Sequence, residues 1–175
     1  DEDQAMLAET AEQFMAEQGG IQKQLRHWRD RNCKDGFGHA LWKQFAEMGF
    51  TGILVGEDHG GLDMGHVEAG IVLEEIGRNL TPSPFLSSSV LAATALQHGS
   101  DDVKTRWLPD MVAGEKVYAV AIDEGPKHRP ERIACKAEKS GNGFRLSGKK
   151  DFVVYGASAE MIVVAARTSG SDSDE

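Results

Sequence analysis

A change of period near Gly114 constrains the fold more than any other feature of this chain. Before it, apolar residues recur at helical spacing; after it, they come in short runs of β-forming residues. Leu7, Phe14, Ile21 and Trp28 recur every seven residues, with Ala11, Met15 and Leu25 on the same stripe, which predicts an amphipathic helix face. Gly19-Gly20 predicts a break in it, because each glycine costs about 1 kcal/mol against alanine inside a helix. Ala40, Leu41, Phe45 and Met48 form a second helical face closed by Gly49. Val67, Ile71, Val72 and Ile76 form a third closed by Gly77. Residues 85–98 carry Phe85, Leu86, Val90, Leu91, Ala95 and Leu96 among Ser, Thr and Gln, which predicts a helix buried on most sides, with Ser87-Ser88-Ser89 as packing residues. Ser100 reads as the N-cap of a further helix, with Asp101 and Asp102 in its first turn and Val103, Trp107, Leu108 and Met111 on its apolar face.

Beyond Gly114 five strands are expected: within residues 117–122, from Ile133 to Glu138, around Phe144-Arg145-Leu146, over Phe152-Val153-Val154-Tyr155, and over 161–166. Ser140-Gly141-Asn142-Gly143 is a turn signal between two of them. No helix-length segment separates the strands, so an antiparallel meander, sandwich or barrel is expected rather than parallel βαβ units. The reading is therefore α+β, with a helical domain over residues 1–115 and a β domain over 116–175, the latter incomplete. The polar run Ser169 to Glu175 follows a strand-like segment directly and reads as a cut edge.

The 175 residues carry 28 acidic and 19 basic side chains, a net charge of −9, which disfavours nucleic acid or an anionic membrane as the main partner. No apolar run approaches the roughly 18 residues of a membrane span, and the acidic start, Asp1-Glu2-Asp3, lacks the apolar core of a signal peptide. Cys33 and Cys135 stand far apart and read as two reduced thiols of a cytoplasmic protein. There is no phosphate loop, no dinucleotide-binding glycine fingerprint, no paired-histidine zinc motif and no nucleophile elbow. Glu57, Asp58, His59 and Asp63 cluster around Gly60-Gly61, but a solvated loop stiffened by glycines fits them better than a metal site. Lys127, His128, Arg129 and Arg132 form a basic patch. An exposed loop and an anion clamp for phosphates are equally good readings of it.

From Gly49 to Leu62 the chain resembles the acyl-CoA dehydrogenase family, whose members carry a glycine-spaced P-E-x-x-G-G segment there. Further pieces agree in order. Leu73-Glu74-Glu75-Ile76-Gly77-Arg78 resembles the family's L-E-E-L-G-R. Gly99-Ser100, Lys104, Trp107-Leu108-Pro109 and Gly114-Glu115 resemble its G-[ST]…K…W-L-P…G-E. Ala121-Ile122-Asp123-Glu124 stands at its A-L-T-E, and Gly148 to Val154 at its G-x-K-x-W-I-T. Ala159-Glu160 with Val163 to Thr168 resembles its A-D…V-x-A-[RK]-T.

The resemblance implies a helical domain, a middle β domain and then a C-terminal helical domain absent from this chain. It implies FAD as cofactor and α,β-dehydrogenation of an acyl-CoA thioester: a carboxylate base takes the α proton while the β hydrogen leaves with its electron pair to the flavin. The base is expected in the absent domain, so no catalytic residue is assigned. Residues implied at the flavin are Val120, Ala121, Ile122 and Asp123 on one strand and Phe152, Val153 and Val154 on another. Arg129 is implied at the substrate, since it fills the slot of a family serine. Two departures stand out. Asp123 and Val154 each replace a Thr, so two hydroxyl donors are lost. Implied partners are an acyl-CoA, an electron-transfer flavoprotein as acceptor, and other subunits of a homo- or hetero-tetramer. A divergent non-catalytic subunit, an oxidase or flavin monooxygenase relative, and a non-enzymatic scaffold are the alternatives.

Overall fold

The computed structural model describes residues 1–171. α1 (Glu2–Phe14) opens on a reciprocal cap: the Asp1 carboxylate accepts from Gln4 N at 2.9 Å while the terminal amine donates to Gln4 Oε1 at 3.0 Å. It widens into a π-turn at Met15–Gly19 and leaves the helix at Gly20, where the glycine pair predicts the break. The heptad stripe thus holds as far as Phe14 and Met15, which join Leu7 and Ala11 in the core, whereas Ile21 lies exposed. After α2 (Leu25–Asp30), α3 (His39–Glu47) buries Leu41, Trp42 and Phe45, with Gly49 left-handed just past its end.

The loop from Gly56 to Met64 is pinned rather than loose. Asp63 N donates to Val55 O at 2.8 Å, and a Cβ on Gly61 would stand 2.0 Å from that carbonyl, so only glycine fits. Among the described residues no group of three or more His, Cys, Asp or Glu could hold a metal ion.

α4 (His66–Arg78) runs through Gly77 instead of ending there. The left-handed turn falls at Leu80 (φ 50°), and Asn79 Nδ2 donates to Glu75 O at 3.0 Å. The segment expected to be buried on most sides is a π-helical stretch, Leu86–Ala92, that continues as α5 (Ala93–Gln97). Ser87, Ser88, Ser89, Ala92, Ala93 and Leu96 are all buried, though Leu86 and Leu91 are exposed. α6 (Asp101–Val112) begins at Ser100, whose hydroxyl makes no capping bond. Among the described residues no helix is long and apolar enough to cross a membrane.

The α+β class holds. The strands are β1 (Tyr118–Ala121), β2 (Lys136–Ser140), β3 (Gly143–Ser147) and β4 (Met161–Val164). β2 and β3 form an antiparallel hairpin closed across Gly141-Asn142, as the turn signal predicts. Two expectations need correction. Residues 152–155 run irregularly into a turn that begins at Val154, and form no strand, because Phe152 and Tyr155 both take φ of 55°. β1 and β4 pair in parallel, Tyr118 with Met161 through Ala121 with Val164, because the chain between them crosses back through the hairpin without a helix. The acidic residues from Asp172 to Glu175, the end of the expected cut edge and β domain, lie outside the described residues.

Two apolar clusters hold the elements together. One gathers Ala11, Met15, Phe37, Trp42, Phe45, Phe50, Val72 and Phe85 between α1, α3 and α4. The other joins α5 and α6 to the strand pair through Leu96, Leu108, Met111 and Tyr118, with Val120, Met161 and Val163 packed against it. β1 is therefore seated on the helical layer, which fixes the geometry of everything at its C-terminal end.

A groove at the open edge of the first strand and a basic cavity beside it

Alternate residues of a strand in a parallel ladder bond to opposite sides. Ala121 turns toward β4, its carbonyl accepting from Ala165 N at 3.0 Å. Tyr118 turns the other way: its N–H donates to Ser88 Oγ at 2.8 Å, and the Ser88 hydroxyl donates to its carbonyl at 3.0 Å. Val120 and Ile122 share Tyr118's side. Lys150 Nζ donates to Ile122 O at 2.9 Å. The backbone groups of Val120 lie on the same edge, beside a groove of about 200 Å³ lined by Val120, Ile122, Asp123, Phe152, Val154, Leu91 and His128, with Ser87 and Asp151.

Phe152 is 74% exposed, and its left-handed backbone is unusual for a bulky residue. The segment that carries it is tied at both ends. Asp151 N donates to Asp123 O at 2.8 Å. Beyond Phe152, the Tyr155 ring meets buried Phe37 edge-on at 5.5 Å, and burial pushes its phenol pKa up. Ser158 hydrogen-bonds the Asp35 carboxylate, which also accepts from His39 Nε2 at 2.8 Å. The His39 bond, then the Ser158 bond, hold that carboxyl below its ordinary range.

Beneath the loop that follows β1 lies Glu124. Its carboxylate accepts from Ala134 N at 2.7 Å, Cys135 N at 2.9 Å and Lys150 Nζ at 2.7 Å. The two side chains are 15% and 8% exposed. Desolvation pushes the Glu124 carboxyl up, but the Lys150 ammonium and the two amides outweigh it and hold the group below the usual carboxylate range. Gly148, at the foot of this pair, brings its Cα against Cys135, where a Cβ would stand 2.7 Å from the Cys135 Cα. On the outer side of Glu124 a second cavity, of about 340 Å³, is walled by Lys127, Arg129, Arg132, Gly125, Pro126 and Ala134.

Of the residues singled out from sequence, the groove gathers Val120, Ile122, Asp123, Phe152 and Val154. Ala121 is buried and lines neither the groove nor the cavity, and Val153 packs against Gly156. Arg129 lies in the second cavity, not in the groove. The basic patch is split: His128 turns into the groove, its Nδ1 at 2.8 Å from Asp123 Oδ1, while Lys127, Arg129 and Arg132 face the cavity. Sequence reasoning missed Ser88 as the partner of β1 and the pairing of Glu124 with Lys150. Both are contacts between residues 26 or more positions apart, and no local pattern marks them.

Residues 1–115 match the family described as "Acyl-CoA dehydrogenase, N-terminal domain". The chain is 35% identical over 133 residues to the mitochondrial isovaleryl-CoA dehydrogenase of Arabidopsis thaliana, covering 73% of this chain and 32% of that one. It thus spans about a third of the length of that relative. Among solved structures, the ChsE4-ChsE5 complex from Mycobacterium tuberculosis superposes with a TM-score of 0.79 at 27% identity, covering 96% of this chain and 44% of the other. At 22% identity, an acyl-CoA dehydrogenase from Bacillus anthracis complexed with FAD shares the fold, with a TM-score of 0.79 over 98% of this chain and 30% of that one. A family match over well over half the chain, the order of its helices and the seating of its first strand lead to one assignment: this protein belongs to the acyl-CoA dehydrogenase family.

Proposed function

We propose that this chain supplies the N-terminal helical domain, residues 1–115, and the first part of the β domain, residues 116–175, of a FAD-dependent acyl-CoA dehydrogenase. On this reading a further helical domain brings the catalytic base, and the groove beside β1 receives the flavin ring. The observation that carries the reading is the groove itself: the open edge of β1 at Val120, with apolar Phe152, Val154 and Leu91 around it.

Its residues fit a planar heteroaromatic ring in two respects. The Val120 edge offers a backbone donor and acceptor independent of side-chain identity, and Phe152 offers an exposed aromatic face. The poorer fit is Asp123, whose carboxylate stands where a hydroxyl would donate. It is engaged by His128, so its charge has a partner inside the groove. When bound, FAD supplies the two-electron acceptor. The chain's own residues orient and shield it. Val120 and Ile122 set the strand edge, Phe152 and Val154 keep water from one face, and the ties through Asp151, Tyr155 and Ser158 hold that face in place. Arg129 is assigned to a phosphate of the acyl-CoA. An electron-transfer flavoprotein is the proposed acceptor, and a homo- or hetero-tetramer in the cytoplasm the proposed assembly and place.

The test is direct. The full-length protein is expected to purify yellow and to bleach when an acyl-CoA is added without oxygen. A colourless protein would overturn the reading. The loss of hydroxyls at Asp123 and Val154 favours one second reading, a non-catalytic subunit of a hetero-oligomer; a yellow protein that no acyl-CoA bleaches would establish it instead.

A further inference from the structure

We infer that His128, held by Asp123, tunes a flavin seated in the groove beside β1: it sets a removable positive charge against the ring, so that the reduction potential follows the state of the imidazole. The inference rests on the flavin reading given above and adds to it a role for two residues of this chain. Three observations carry it. The first is the charge of the lining. Of the described residues that line the groove, Asp123 and Asp151 are acidic, and His128 is the one able to carry positive charge. The second is how the carboxylates there are answered. Asp151 meets Lys149 at 2.7 Å, and Glu124, next to Asp123, meets Lys150 at 2.7 Å. Asp123 meets a histidine instead, at 2.8 Å. A lysine keeps its charge across the physiological range, whereas an imidazole gains and loses it there. The third is placement. The Asp123 carbonyl accepts from Asp151 N at 2.8 Å, and the carbonyl of Ile122 from Lys150 Nζ at 2.9 Å, so the backbone that carries the carboxylate is fixed at the end of β1.

With Nδ1 engaged by a carboxylate, the imidazole meets a ligand through Nε2. A neutral ring with its proton on Nδ1 accepts there, and an imidazolium donates. Two electrons entering a flavin add negative charge to its ring system, and a cation beside it favours that state. Leu91, Val120, Phe152 and Val154 make the other walls apolar, so a charge beside a seated ring is weakly screened. The remaining cations nearby are placed elsewhere. Lys127 and Arg129, on the same loop as His128, wall the second cavity, while Lys149 and Lys150 are held by Asp151 and Glu124. The helical stretch that brings Ser87 and Leu91 puts no charged side chain on the groove. Asp123 is therefore a positioning residue, and the proton that matters is on His128. Where His128 is neutral before reduction, solvent supplies the proton it gains and the reductant supplies the two electrons.

The experiment is spectroelectrochemical titration of the full-length protein loaded with FAD, between about pH 5 and 8, for the wild type and His128→Gln. The His128 side chain is 68% exposed on a loop, and glutamine keeps it polar, so the variant keeps the fold. At the acid end its potential is expected to lie about 30 mV or more below the wild type's, which for a two-electron couple is about a tenfold loss of preference for the reduced flavin. The gap is expected to close as pH rises, because the wild-type imidazole then starts neutral. In an Asp123→Ala background, where the imidazole is no longer held, the same His128→Gln change is expected to shift the potential much less. His59→Gln, outside the groove, is expected to change nothing. Equal potentials at every pH, a gap that does not vary with pH, a like gap for His59→Gln, or a full gap without Asp123 would each overturn the inference while a yellow protein left the flavin reading standing. A full-length protein that takes up no FAD would overturn both.

Discussion

Glu124 and Lys150 carry more of the β portion than their places in the sequence suggest. The ammonium joins two stretches, bonding the carboxylate of Glu124 and the carbonyl of Ile122, while the carboxylate gathers the amides of residues 134 and 135. Replacing Lys150 by Met leaves a mostly buried carboxylate with its amide donors but no counter-charge. We expect a loss of about 2 kcal/mol, between the values for exposed and fully buried pairs, read as a lower Tm at neutral pH. The pH dependence has a definite sign. Glu124 is more acidic in the folded chain than in the unfolded one, so the unfolded chain takes up the proton first as pH falls. Its contribution is complete above the ordinary glutamate pKa of about 4.3 and is lost as pH drops through the lower folded value. The variant's Tm should therefore converge on the wild type's in acid; a gap that persists there would refute the assignment. None of this was legible in the sequence. Glu124 read as the end of a motif and Lys150 as one of two adjacent lysines, and only the fold brings them together.

The segment from Phe152 to Ser158 shows where local pattern misleads at the level of an element. Phe152-Val153-Val154-Tyr155 has the composition of a strand, and composition is what a sequence exposes. What decides its shape is non-local: the bond of Asp151 to Asp123, the docking of Tyr155 on Phe37 and the Ser158–Asp35–His39 cluster. Together these force left-handed backbone on two bulky residues. Helix faces, by contrast, were legible because their apolar stripes meet a core directly, as Leu41, Phe45, Val72 and Leu108 do. Strain held at Phe152 predicts an opposition between stability and binding. Phe152→Gly is expected to raise stability by up to about 1 kcal/mol, since glycine tolerates positive φ. The same change removes the exposed ring face and should weaken flavin binding by the full-length protein, measured by fluorescence titration. Loss of stability together with unchanged flavin affinity would contradict both halves.

For the molecule as a whole, the period change near Gly114 correctly announced helices followed by strands, but not how the strands pair. Partner choice in a sheet depends on how the intervening chain travels, and the excursion through the hairpin turned an expected antiparallel neighbour into a parallel one. The groove was legible in outline, since five of seven residues singled out for it line it, and the residues that brace it were not. Because this groove is open on the side where Phe152 and Val154 stand exposed, the 175-residue chain alone should hold FAD weakly. Equilibrium dialysis giving submicromolar affinity would show the groove sufficient without further protein. The parallel pairing also has a consequence in time. On the ribosome, the partner of Tyr118, Met161, is made about 43 residues later, which at about 5–20 residues per second is a wait of roughly 2 to 9 seconds. Through that interval β1 has no ladder to join, yet Ser88, synthesised earlier, can already take both the N–H and the carbonyl of Tyr118. The buried serine is therefore expected to act as a splint that holds the strand until its permanent neighbour emerges, and Ser88→Ala is expected to slow refolding, measured by stopped-flow fluorescence.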